Sequence, residues 1–144
     1  MKWKRIIIAA IIFTIIAQVL RTVESMLTMD FYMDPEYFGI WSKLMMPTAG
    51  PPPAEFFYVS IISSLIIALI YAAVYDIVKG SMPGKTTIKK GLQYGIVLFL
   101  IVQIPGLLGM YLLVNLPTLL LVYWGISSLV ISLIGGIVFA KIIK

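Results

Sequence analysis

The sequence contains no cysteine and no histidine. Disulfides, thiol redox chemistry, Cys/His metal sites and haem ligation are therefore excluded. Charge is scarce as well. Asp, Glu, Lys and Arg make up 12% of 144 residues, where a soluble domain carries about 25%. In their place stand apolar residues, at 61%, with a mean hydropathy of +1.06. A chain this poor in charge cannot cover itself in water, so the bilayer is its expected solvent. The length fits one domain, 1–144. The net charge of +5 does not point to nucleic acid, because the basic residues flank apolar runs, the mark of a membrane surface.

A hydrocarbon core of ~30 Å takes about 20 apolar residues in a helix. Four runs qualify: residues 6–27, 56–78, 92–113 and 118–140. They are uninterrupted, not alternating, so a β-barrel is not indicated. The expected fold is all-α: an integral membrane four-helix bundle with an outer loop at 28–55 and an inner loop at 79–91. Met1-Lys2-Trp3-Lys4-Arg5 before an apolar run also resembles the start of a signal peptide. Bulky Ile15 spoils a small-x-small cleavage site at Ala17, so the first run is expected to remain as a span.

Lys2, Lys4, Arg5, Lys79, Lys85, Lys89, Lys90, Lys141 and Lys144 all fall on one side of four spans; only Arg21 and Lys43 do not. That bias predicts a multi-pass protein of the cell membrane with both termini cytoplasmic. The outer loop carries Asp30, Asp34, Glu36 and Glu55 against one lysine. Aromatic residues fit the same frame. Trp3, Tyr75 and Tyr94 fall near the inner interface, and Tyr32, Trp41, Tyr58, Tyr111, Tyr123 and Trp124 near the outer one.

Within the outer loop, Asp34-Pro35-Glu36 has the form of a helix start: a capping carboxylate, then proline at the first position. Tyr37, Phe38, Ile40, Trp41, Leu44 and Met45 follow mostly on one side. A short interfacial helix ending at Pro47 is expected, serving as a lid on the bundle or as a partner or entry surface. Pro51-Pro52-Pro53 forms an extended spacer.

Small residues recur at every fourth position: Ser60, Ser64, Ala68 and Ala72 in the second run, and Ser128, Ser132, Gly136 and Ala140 in the fourth. Gly91 and Gly95 open the third. Such ridges let helix backbones approach, within one chain or between copies, so a homo-oligomer or a membrane-protein partner is expected beside lipid. Ionisable groups inside a span are rare. Gln18, Arg21, Thr22 and Ser25 share one side of the first run, and Arg21 can pair with Glu24. In the third run, Gln103 precedes Ile104-Pro105-Gly106, where proline should kink the helix. Gln18 and Gln103 lie at similar depths past a basic pair. Gln18, Arg21, Glu24 and Gln103 are therefore the candidate intramembrane site. Lys79, Lys85, Lys89 and Lys90 are the candidate contacts for anionic lipid.

Gly80-Ser81-Met82-Pro83-Gly84-Lys85-Thr86 has three residues between its glycines, where a P-loop has four, and no strand precedes it. Ser63-Ser64 and Ser127-Ser128 have no nearby general base. No cofactor is indicated. Residues 30–37, Lys43-Leu44-Met45-Met46-Pro47, Pro83-Gly84-Lys85 and Lys90-Gly91-Leu92-Gln93-Tyr94-Gly95 resemble a group of small four-span prokaryotic membrane proteins with no assigned activity. The resemblance covers most of the chain and implies the same four-span fold. It carries over no functional residue. The expected function is a non-enzymatic scaffold, accessory or lipid-interacting component. The alternative is a small carrier or channel with a polar path from Arg21 and Gln18 to Gln103.

Overall fold

A computed structural model describes residues 2–48 and 50–144. It is all-helical, and four helices are long and apolar enough to cross a membrane. Helix α1 is Trp3–Leu27, α3 is Ala54–Val78 and α6 is Thr118–Ile142. A short α2, Met29–Met33, follows α1. The third long helix is composite: α4 (Thr87–Leu98), a π-helical turn (Phe99–Gln103) and α5 (Ile104–Leu113). It starts earlier than the apolar run because Thr86 caps it, its Oγ1 accepting from the Lys89 N–H at 3.3 Å. The inner loop is correspondingly shorter, at 79–86.

Just before Pro105, where a kink is expected, the chain forms the π turn. Proline offers no N–H, and the ladder slips by one residue just before it, so that the Ile104 N–H bonds to the Phe99 carbonyl.

The helices pack in the order α3, α1, α6, α4. One face of α1 is buried, formed by Ile6, Ala9, Ala10, Phe13, Thr14 and Ala17. Its outward face carries Ile7, Ile8, Ile11, Ile12, Ile15 and Val19. A buried face rich in small residues beneath an outward face of bulky aliphatics is the pattern expected of a helix in lipid.

Both small-residue ridges are used within the chain. The fourth-run ridge meets the glycines of α4: a Cβ on Gly91 would lie 2.7 Å from the Gly136 carbonyl, and one on Gly95 would lie 2.5 Å from that of Ser132. The second-run ridge faces α1, where Ser60 and Ser64 meet Gln18. An interface between copies would have to use other faces.

Aromatic residues fill the half of the core at the end that carries both termini and the 79–86 loop, called the inner half for reference. Phe13 rests on Gly135 with its ring 5.1 Å from that of Phe139. Tyr94 stacks edge-on against Tyr75 at 5.1 Å and Phe139 at 6.2 Å. Its hydroxyl donates to the Tyr71 carbonyl at 2.6 Å, joining α4 to α3. Tyr75 and Tyr94 are thus core residues, 3% and 1% exposed, not interface anchors as their sequence positions suggested.

The outer half is looser. Helix α5 lies mainly against α6, and Leu112 and Leu113 are 77% and 86% exposed. The helix expected from Asp34 does not form. Asp34 Oδ1 does accept from the Glu36 N–H at 2.9 Å, but the chain makes a turn and then a single 3-10 turn, Phe38–Ile40. Gly39 and the later Pro47 discourage anything longer, and burial of the aromatic side chains pulls the segment inward. Phe31, Tyr32, Ile40 and Trp41 cover Leu116, Leu120 and Leu121 at the outer end of α6. The loop is therefore a lid packed on the bundle.

The α4–α6 contact should respond sharply to side-chain bulk. Gly95→Val is expected to destabilise the fold by about 1–3 kcal/mol through overpacking. Gly109→Ala, where an added Cβ meets nothing within 4 Å, should stay within about 0.5 kcal/mol. Unfolding of the two variants in mixed micelles would compare them, and equal effects would contradict the close backbone contact.

Candidate functional site

Two groups of polar residues stand out, one on α1 and one at the lysine-rich end. On α1, Thr14 returns its hydroxyl to the Ala10 carbonyl at 2.8 Å, and Thr22 does the same to Gln18 at 2.9 Å. Such bonds satisfy a hydroxyl within its own helix. Gln18 reaches across to α3, its amide Nε2 lying 3.1 Å from Ser64 Oγ and 3.3 Å from Ser60 Oγ. This is a helix–helix hydrogen bond of the kind that substitutes for water inside a bilayer.

The pair expected between Arg21 and Glu24 is not formed. Among the described residues the only ion pair joins Lys79 to Asp76 at 2.8 Å. Glu24 turns instead toward buried Thr28, whose Oγ1 lies 3.2 Å from Glu24 Oε1 and 2.9 Å from the Glu24 carbonyl. Arg21 is exposed. The physical reason is position: Arg21 lies about a turn and a half from the end of α1, where a long basic side chain reaches polar surroundings more readily than the bundle. Gln103 is half-buried on the π turn and makes no side-chain hydrogen bond among those described. Among the described residues no side-chain hydrogen bond or ion pair joins Gln18, Arg21, Glu24 and Gln103 to one another.

Near the outer end, Trp124 Nε1 donates to the Tyr32 hydroxyl at 3.0 Å, and Tyr32 packs on Trp41 at 4.9 Å. Burial pushes the Tyr32 phenol above its ordinary range, against the opposing effect of the Trp124 bond. It is a latch for the lid, neutral at physiological pH.

The lysine-rich end is more concave. The end of α3, the start of α4 and the end of α6 surround a cleft of about 390 Å³. Its polar lining is Lys79, Lys85, Thr86, Thr87, Lys90 and Lys144, over a floor of Tyr75, Ala140 and Ile143. A depression beside it shares Thr86, Thr87 and Lys144 and adds Ile88 and Lys141. Gly84 holds the loop against the first turn of α4: a Cβ there would fall 2.6 Å from the Lys90 nitrogen. Lys2 Nζ and Arg5 Nη1 donate to the backbone oxygen of Lys144 at 2.9 and 3.0 Å, tying the chain just past α6 to the start of α1.

Of the four lysines singled out in the sequence, Lys79, Lys85 and Lys90 line this cleft and Lys89 does not. Lys79 is partly neutralised by Asp76. Lys144 and Lys141 were not among the four. Their signal was present in the shared sidedness of nine basic residues, but their proximity to Lys90 follows only from the antiparallel contact of Gly91 with Gly136. Among the described residues no three carboxylates gather where they could share a metal ion. No protein-family model, curated protein or solved structure matches this chain.

Gln18 and Arg21, both on α1, should differ in their effect on stability. Gln18→Leu is expected to cost about 1 kcal/mol by removing an interhelical bond. Added to Ser60→Ala and Ser64→Ala together, it should cost little more. Arg21→Leu should stay within about 0.5 kcal/mol. A severe loss from Arg21→Leu alone, measured by the same unfolding assay, would mean that Arg21 has a partner inside the bundle.

Proposed function

We propose that this chain is a multi-pass protein of the cell membrane with both termini in the cytoplasm, acting as a non-enzymatic, lipid-interacting component. The observation that carries this reading is the sidedness of the bundle. Aliphatic side chains cover its flanks. Lysines from the loop, α4 and α6 converge at one end, and acidic residues dominate the opposite loop. Cytoplasmic leaflets carry anionic lipid, and each lysine near such a surface contributes about 1 kcal/mol. The reading as a non-catalyst rests on residue chemistry: there is no His or Cys to act as base or nucleophile. The carrier alternative draws no support from the geometry. Gln18 is bonded to Ser60 and Ser64, and Arg21 is exposed.

Because the chain has no cysteine, single-cysteine variants offer a direct test of orientation. Glu36→Cys should react with a membrane-impermeant maleimide in intact cells, and Ser81→Cys should react only after permeabilisation. The reverse pattern would overturn the orientation.

The lipid role is tested separately. In mixed nanodiscs the protein should retain phosphatidylglycerol in excess over phosphatidylcholine, and the excess should shrink as salt rises. Equal retention of the two lipids would remove the lipid-interacting reading.

A further inference from the structure

We infer that the cleft between the inner ends of α3, α4 and α6 is a defined site for a phosphate monoester, held by Lys85, Lys90, Lys144 and the hydroxyls of Thr86 and Thr87. The inference deepens the lipid-interacting reading and rests on it. That reading needs only a diffuse positive face; this one assigns one ligand to one place.

The charge arrangement comes first. Four lysines line a single cleft. Lys79 is compensated by Asp76 at 2.8 Å. Among the described residues, the side chains of Lys85, Lys90 and Lys144 make no ion pair and no hydrogen bond. They come from three separate places in the chain: the inner loop, the first turn of α4 and the end of α6. Like charges brought together by the fold repel one another, and an anion between them relieves that repulsion.

Donor chemistry narrows the anion. A phosphate monoester carries roughly −1.5 to −2 charges at neutral pH and presents three terminal oxygens. A diester carries one charge and two such oxygens. Three ammonium groups match the monoester better. Thr86 Oγ1 already accepts from the Lys89 N–H, so its own proton is free to donate outward. Thr87 supplies a second hydroxyl on the cleft wall.

Shape agrees. The volume of about 390 Å³ lies within the range of small-ligand pockets, about 300–1,000 Å³. Its floor of Tyr75, Ala140 and Ile143 suits the apolar stem behind a phosphate head. Basic pockets between helices on the cytoplasmic side are a recognised way of holding lipid headgroups. The same chemistry would accept a soluble phosphomonoester, and the experiment separates the two sources.

The full-length protein is placed in phosphatidylcholine nanodiscs containing equal fractions of phosphatidic acid and phosphatidylglycerol with identical acyl chains. Bound lipid is counted by native mass spectrometry. One phosphatidic acid per chain should be retained, preferred over phosphatidylglycerol on the order of tenfold. Lys90→Gln should weaken that retention about fivefold, while Lys4→Gln, an equal loss of charge outside the cleft, should leave it unchanged. In a second arm, nanodiscs of phosphatidylcholine alone are titrated with glycerol 3-phosphate and inorganic phosphate. Saturable binding there, weakened by Lys90→Gln, assigns the site to a soluble ligand. Its absence, with phosphatidic acid retained, assigns it to a lipid headgroup. Equal retention of the two anionic lipids, with no saturable binding of either soluble probe, overturns the site. If both lipids still exceed phosphatidylcholine, the broader lipid reading survives; if they do not, it fails too. The wild-type comparison decides the matter even if a variant fails to fold.

Discussion

The contact of α4 with α6 determines where most other parts of this molecule lie. In lipid, an apolar side chain gains nothing by moving from a lipid neighbour to a protein one, so helices associate through close packing and hydrogen bonds. Gly91 and Gly95 face Ser132 and Gly136 with backbone against backbone. That closeness sets the antiparallel register of the two helices. It places the first turn of α4 beside the last turn of α6 and so brings Lys90 toward Lys144. It also points Tyr94 into the inner core, where it meets Tyr75 and Phe139 and bonds to the Tyr71 carbonyl.

The two halves of the bundle are built differently as a result. The inner half has interlocked aromatics resting on small residues, with Phe13 seated on Gly135. In the outer half the third helix has passed its π turn, and α5 keeps company mainly with α6. What closes that end is the loop after α1, through Phe31, Tyr32 and Trp41 and the Trp124–Tyr32 hydrogen bond. Pro105 links the two halves: it offers no N–H, and the ladder shifts by one residue just before it, where the Ile104 N–H bonds to the Phe99 carbonyl.

Most polar groups along α1 find a near acceptor or reach the surface, whereas Gln93 Oε1 and Trp41 Nε1 stay buried without a partner among the described residues. Thr14 and Thr22 bond back to their own helix. Gln18 is too long for that and bridges to Ser60 and Ser64. Glu24 uses Thr28, and Arg21 extends to the surface. At the lysine-rich end, Lys85, Lys90 and Lys144 line one cleft without an ion pair among the described residues, while Lys79 is bonded to Asp76. A cluster of unmatched cations is where this chain departs from local neutrality, and it is the reason the functional reading centres there.

The four long apolar helices, their approximate ends and a disturbed ladder at Pro105 were legible in the amino acids, because each depends on local quantities: run length, hydropathy and a missing N–H. The small-residue ridges were legible as contact surfaces for the same reason. Their partners were not, since a ridge of Ser132 and Gly136 fits a second copy as well as it fits Gly91 and Gly95. Three things were decided by tertiary structure alone. The segment after Asp34 became a lid, not a helix, because burying Trp41 and Ile40 outweighed a good capping residue. Arg21 and Glu24 did not pair, because each had a nearer solution than the other. Lys144 joined Lys85 and Lys90 in one cleft through helix register, and register depends on contacts between residues far apart in the chain.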